Sequence, residues 1–545
     1  MTDFLNLWRR KMQWFEDEKT FRMFVFFAFF VVLGVVACSV PRGLGSADES
    51  WYLILMRDQI AVMGSSWSLL FKWMPQNILI VRISTLLLIA IGNIVFGLGL
   101  YFYFREKFSL SPKLILPLSM MAFVGTFCYG SAVNLVPHYY CLNHFIFQLV
   151  MGFALLSANN GSLWALLSGF AAGFLLFIMP TNVPIWLVVV AFIYATKNRW
   201  RGLAWFAVGI LSAFFVFFAA VQSPFDYYRM MIATVRDAAN SAEPHGLKPM
   251  LGWGIRTIYY VMTNICFVSL LVHYMGKKTE YPLGGSDGLK IGTVFLLCVY
   301  FLTPFVTCRV RGFPQGLYPA ETVAVLTGWL ILEMRHRFDC QDWWALALIG
   351  GAPVLASLGT VVDFSLRGIM YMGSYLGALS LLLLLSKDGA RFRFYGCCLL
   401  VLITVGFTAN FFKPNWSTQE SLSKNNVPVS KLCPGLKVSP DMAASMMALE
   451  AYVGHSKYVV LNDAQSWCYA FLLDLKPVSY QFYCKDKGVI GKIKNLQSEE
   501  LFVIEEQRVP LDKTFWTELE RQTSWRVESS RQFCENKTAY RVVRK

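Results

Sequence analysis

Charge is what this chain most lacks. Only 15% of its residues are Asp, Glu, Lys or Arg, while 56% are hydrophobic, well outside the balance of a soluble domain. Acids are nearly missing from the long apolar runs, no internal repeat is visible, and no C-x-x-C occurs among 13 cysteines. Each absence excludes something. Without acids at bilayer midplane or duplicated halves, a transporter loses its usual signs. Without paired cysteines, a zinc or thiol-redox site has no framework. Residues 20–40 form the first apolar run; they follow a polar stretch, 1–19, and no small-x-small cleavage site comes after them, so they stay as a membrane span.

What is abundant is the membrane-length run. Apolar segments near 20–40, 78–104, 114–133, 141–158, 161–179, 181–196, 202–222, 251–275, 290–308, 318–334, 343–362, 369–386 and 396–412 read as about thirteen transmembrane helices. The fold class is a polytopic α-helical membrane protein. The net charge of +15 reflects Lys and Arg crowding alternate loops, as orientation in a bilayer requires, and nucleic acid is excluded as a partner. That crowding puts segment 1–19 in the cytoplasm, and loop 41–77, loop 223–250 and everything after Lys413 outside. Residues 413–545 regain polar composition and strand-length runs such as "KYVVLND" and "ELFVIEEQ", which predicts a soluble extracytoplasmic α/β domain behind the helical module 20–412. Cys433, Cys468, Cys484 and Cys534 lie there, enough for up to two disulfides.

The outward loops hold the unusual chemistry. In "GSADESWYLILMRDQ", two acids, Asp48 and Glu49, stand just beyond the first span. They suit the N-terminus of a following helix, or a general base at the water–lipid boundary. Behind them "ESWYLILMRDQIAVMG" and "SSWSLLFKWM" space their apolar residues as two interfacial helices, apolar face toward lipid. Lys72, Arg82, Arg309 and Arg311 fall on the side that cations usually avoid. As a set they point to a bound anion, a polyprenyl phosphate or a phospholipid headgroup.

The order of one span, "DES-WYL", "MRDQIAVMGSSW", "FKW" and "ILIVRISTLLLIAIGNIVFGLGLYFYF" resembles the N-terminal third of GT-C superfamily glycosyltransferases. The similar branch is that of the lipid A aminoarabinose transferases and protein O-mannosyltransferases. "RGFPQGLYPAETVAVLTGW" is loosely similar to a later segment of that family. The resemblance implies a GT-C-like fold and an inverting hexosyl or pentosyl transfer. The donor would be a polyprenyl-phosphate sugar and the acceptor an envelope glycan or glycolipid, on the outer face of a bacterial inner membrane, with membrane lipids around it and no cofactor. Asp48 would activate the acceptor with Glu49 beside it. Lys72, Arg82, Arg309 and Arg311 would hold the donor phosphate, and Arg57, His138, Tyr139 and Tyr318 would line the substrate. One departure stands out: where relatives carry a second acid, this chain reads "NLVPHYYCLNHF", with His138 and His144 but no carboxylate, and no metal site is implied. The rival readings are a lipid or solute transporter and a non-catalytic membrane subunit.

Overall fold

The computed structural model describes residues 17–45, 48–62, 66–71, 77–127, 135–179, 182–239, 334–357, 371–385, 390–412, 421–429, 433–454, 457–480, 486–507, 510–511 and 513–545, with isolated positions between 252 and 331. It is a helical bundle carrying an α/β layer at one end. The bundle helices are α1 (Glu18–Ser39), α3 (Ile78–Phe108), α4 (Ile115–Thr126), α5 (Tyr139–Asn160), α6 (Ser162–Ile178), α7 (Val183–Ala195), α8 (Arg199–Ala220), α10 (Cys340–Ser357), α11 (Met372–Leu385) and α12 (Ala390–Phe412). Between them lie α2 (Asp48–Asp58) after α1, and α9 (Pro224–Ala239) after α8. Four described helices, Glu18–Ser39, Ile78–Phe108, Tyr140–Asn159 and Arg199–Ala220, are long and apolar enough to cross a membrane. The chain is a polytopic membrane protein. The span read near 290–308 lies outside the described residues, as do nearly all of 251–275 and most of 318–334.

Helix starts follow local chemistry. Asp17 caps α1 by accepting from the Thr20 amide, and Asn77 caps α3 by accepting from the amides of Leu79 and Ile80, each satisfying donors that the helix leaves open. Small residues let backbones touch. A Cβ at Gly99 of α3 would sit 2.6 Å from the Gly152 carbonyl oxygen of α5, so these helices pack at glycine distance, a device of lipid-embedded interfaces. Large apolar side chains such as Phe215, Leu211 and Leu187 point away from the bundle, as a lipid-facing surface demands.

The C-terminal region holds a five-stranded sheet in the order β4-β3-β5-β7-β6. Its strands are β3 (Tyr458–Leu461), β4 (Lys476–Pro477), β5 (Glu500–Glu506), β6 (Trp525–Cys534) and β7 (Lys537–Arg544), after a short pair, β1 (Val427–Pro428) and β2 (Lys437–Val438). β3 runs parallel to β4 and β5, whereas β7 lies antiparallel between β5 and β6. Side chains alternate across it. Val460, Leu501 and Val503 pack under Ile490 and Phe515 of helices α15 (Asp486–Lys494) and α16 (Lys513–Gln522).

Val459, Leu461, Phe502 and Ile504 face the other way, under α13 (Pro440–Val453) and α14 (Trp467–Leu472). That second core does not close within the C-terminal region. It continues through Tyr52, Leu53, Leu55 and Trp67 to Ile78 and Val81 of α3.

One expectation changes here. The segment 48–58 was expected to lay one apolar face on lipid, but Tyr52, Leu53, Ile54, Leu55 and Met56 are all buried in protein. The reason is that the sheet-bearing region covers the face opposite the bundle, so this helix is buried all round. Of the up to two disulfides that the four C-terminal cysteines allow, none forms among the three described. Cys433, Cys468 and Cys534 are free thiols, and Cys484 lies outside the described residues. Cys468 is buried beside the Gln465 carbonyl at 3.2 Å, and burial pushes its thiol up to about 12.

Candidate functional site

The acidic corner is organised by one arginine. Arg82, one turn into α3, is 1% exposed and spends all five guanidinium donors within the protein. Its Nε donates to Glu49 Oε1 at 2.8 Å and its Nη2 to Glu49 Oε2 at 2.9 Å. The remaining donors reach the carbonyls of Val40 at 2.6 Å, Gly43 at 2.7 Å and Arg42 at 3.3 Å. Glu49 Oε2 also accepts from the Gly45 amide at 2.7 Å. The chain leaving α1 is thus wound around a buried, bidentate ion pair, a geometry that suits Arg and that Lys cannot copy. Gly43 sits at φ +66° in this turn, where a side chain would be strained. The C-terminal region closes the winding: the Gly43 amide donates to the Lys437 carbonyl at 2.8 Å, and the Lys437 amide to Pro41 at 2.7 Å.

This arrangement bears on two expected residues. Arg82 was expected to hold donor phosphate, and its N–H groups are all engaged within the protein. Glu49, expected beside Asp48, gives its carboxylate to Arg82. Asp48 opens α2 one residue earlier; its side chain lies outside the described residues, as does that of Tyr139 at the start of α5. Lys72, Arg309, Arg311 and Tyr318 also lie outside them.

Arg57, expected against substrate, acts as a clasp. It chelates Asp58 through Nε at 2.8 Å and Nη2 at 3.1 Å. It also reaches across to Asp474 Oδ1 at 2.9 Å and the Leu475 carbonyl at 2.8 Å. Tyr480 donates to Asp58 Oδ2 at 2.8 Å, and the Trp51 indole donates to the Tyr480 carbonyl at 2.9 Å. Truncating Arg57 to Ala should loosen α2 from the sheet-bearing region. Trypsin and chymotrypsin cleavage between residues 40 and 62 of the folded protein, mapped by mass spectrometry, should then accelerate several-fold.

His138 lies at the start of α5 and is 1% exposed. Its Nδ1 lies 3.0 Å from the Val136 carbonyl oxygen, and its ring meets Tyr52 edge-on at 5.8 Å. Burial pushes its imidazole down from 6.5 to about 4, so the ring is neutral at neutral pH. The unfolded chain binds this proton near pH 6.5 and the folded chain only near pH 4. Stability is therefore intact above pH 6.5 and is lost as pH falls from 6.5 to 4, by about 3 kcal/mol in all. A thermal-unfolding series over that window should show a smaller drop for His138→Gln than for the wild type.

Beside this corner a long apolar groove of about 650 Å³ runs down the flank of the bundle. Trp67, Leu70 and Phe71, in the 3-10 turn Ser66–Phe71, line it together with Leu87 of α3, Leu149 of α5 and Phe174 of α6. Leu87 is 58% exposed, so the groove opens sideways where lipid would lie. Lys72 follows Phe71 in the chain. Neither the corner nor the groove presents a metal set: no cluster of three or more His, Cys, Asp or Glu occurs among the described residues.

Polar residues also stand inside an apolar run. "CLNHFIFQ" places Asn143, His144 and Gln148 in one span, and the fold brings them to Tyr371 and Asn182.

No protein-family model matches the sequence, and no curated protein does. Among solved structures the chain is similar to ArnT from Cupriavidus metallidurans bound to undecaprenyl phosphate, at 12% identity over 95% of this chain and 97% of that one, with a TM-score of 0.39. It is similar to the apo state of the same ArnT at 13% identity, with the same coverage and TM-score. The likeness spans both chains from end to end, and at that TM-score it is one of outline.

Proposed function

We propose that the protein is a membrane glycosyltransferase that takes a sugar from a polyprenyl-phosphate donor and transfers it to an envelope glycan or glycolipid at the outer face of the membrane. The observation that carries this reading is the groove. It is lined by apolar side chains, and the turn Ser66–Phe71, which Lys72 follows in the chain, contributes Trp67, Leu70 and Phe71 to it. Its volume suits part of a long isoprenoid tail. An isoprenoid in it would bring its phosphate to the membrane boundary, on the face where α2 opens with Asp48.

In this reading Asp48 takes the proton of the acceptor hydroxyl while that oxygen attacks the anomeric carbon. The bond between that carbon and the phosphate oxygen breaks, the phosphate keeps the electron pair, and the configuration inverts. Lys72, Arg309 and Arg311 are the candidates to stabilise the departing phosphate. Arg82 is left out of that role and serves instead to hold the corner.

The test is binding of undecaprenyl phosphate by the purified full-length protein in detergent, followed by transfer from its sugar-loaded forms. Ser84 lines the groove, and Ser84→Trp should fill it and weaken undecaprenyl phosphate binding about tenfold, the loss of roughly 1.4 kcal/mol of apolar contact. Wild-type protein that ignores the lipid, and yields no transfer across a donor panel, would return the chain to the transporter or structural-subunit readings.

A further inference from the structure

Deep in the same end of the bundle, six residues on α5, at the start of α7 and at the start of α11 form a polar cluster. Asn182, at the start of α7, donates to Asn143 Oδ1 at 2.5 Å, and Asn143 donates to the Tyr371 hydroxyl at 2.7 Å. One turn along α11, Ser374 meets Gln148 Oε1 at 3.4 Å. His144 lies between, its ring 6.0 Å from that of Tyr371. Asn143, His144, Gln148 and Asn182 are all buried, none more than 7% exposed.

What sets the cluster apart is what it leaves open. Both ring nitrogens of His144, Nε2 of Gln148 and Oδ1 of Asn182 have no hydrogen-bond partner among the described residues. A buried polar atom without a partner is costly, and several together in one apolar bundle would be satisfied by hydrogen-bonding groups of a bound molecule. The cluster also connects to the candidate site, because His138, which opens the same helix, meets Tyr52 of α2.

The open atoms define a chemistry. A neutral imidazole offers one donor and one acceptor, the Gln148 amide offers donors, and the Asn182 carbonyl accepts. The hydrogen-bond partners of these residues among the described ones are Asn, Tyr and Ser, none of them charged. Mixed donors and acceptors without charge match hydroxyl groups. An ammonium or a carboxylate buried there would find no counter-charge among these described partners. We infer that His144, Gln148 and Asn182 form the sugar subsite of the donor, and that the sugar it accepts is neutral. The inference rests on the proposed glycosyltransferase reading and adds the class of sugar to it.

Native mass spectrometry of the purified full-length protein tests it with three lipids: undecaprenyl phosphate, undecaprenyl-phosphate glucose and undecaprenyl-phosphate aminoarabinose. The glucose lipid should bind at least about tenfold more tightly than the aminoarabinose lipid. His144→Phe and Gln148→Leu, each close to the natural side chain in volume, should each weaken the glucose lipid about tenfold and leave bare undecaprenyl phosphate unchanged. His144→Phe should unfold at a higher temperature than the wild type, because its two open ring nitrogens are gone. Equal binding of the two sugar lipids, or full glucose-lipid binding by both variants, overturns the neutral-sugar subsite while leaving the glycosyltransferase reading in place. Wild type that binds no undecaprenyl phosphate at all overturns that reading and this inference with it.

Discussion

Replacing Arg82 with methionine should destabilise the protein by about 3–5 kcal/mol, the cost of breaking a buried pair and leaving one charge behind. The Glu49 carboxylate would keep only the Gly45 amide, and the carbonyls of Val40 and Gly43 would lose their partner. Arg82→Lys should not rescue it, since an ammonium supplies three donors from one point where five are needed in a plane. The double variant Arg82→Met/Glu49→Leu should recover part of the loss, because it removes the orphaned carboxylate though not the orphaned carbonyls. Thermal unfolding in detergent measures the series. If Arg82→Met unfolds like the wild type but no longer binds undecaprenyl phosphate, the arginine belongs with the anion after all.

Asp48→Asn should behave in the opposite way. Loss of a general base lowers transfer by about 10²–10⁴-fold. The fold should barely respond, since a carboxylate in the first turn of a helix contributes about 0.3–1 kcal/mol through the dipole. A donor-saturated transfer assay beside a melting curve separates the two adjacent acids. Loss of Asp48 should stop the chemistry in an intact protein, and loss of Glu49 should unmake the site itself. Full activity in Asp48→Asn would remove Asp48 from the mechanism.

Much of the bundle was legible because the bilayer enforces a simple rule: runs of about twenty apolar residues become helices. The spans beginning near 20, 78, 141, 161, 181 and 202 are where the helices are. The α/β character after the last span was legible from the return of polar residues and strand-length runs. The roles of the loop residues were harder. Arg82 looked like a cation on the wrong side of the membrane, and only three-dimensional winding shows that residues 40–49 consume its donors. Arg57 looked available because its partners, Asp474 and Leu475, are over four hundred positions away. Periodicity placed residues 48–58 on lipid because a sequence pattern does not reveal which apolar surface will cover a helix. Conversely, Asn143, His144 and Gln148 stand out inside "CLNHFIFQ", but their common focus needed Asn182 and Tyr371 from other helices.

The shared core between α2 and the sheet-bearing region also bears on when the protein becomes able to act. Arg57 and Asp474 are 417 positions apart, so the acidic corner emerges long before the residues that brace it. Contacts this distant in sequence form late. A nascent chain would already be threaded into the membrane, with its groove open to lipid, while α2 still lacked Trp467, Tyr480 and the Lys437 strand. The spans thus come first and the finished corner last. A chain that stops between the final helix and β4 would carry the acidic corner without the Arg57–Asp474 and Arg57–Leu475 contacts that brace it.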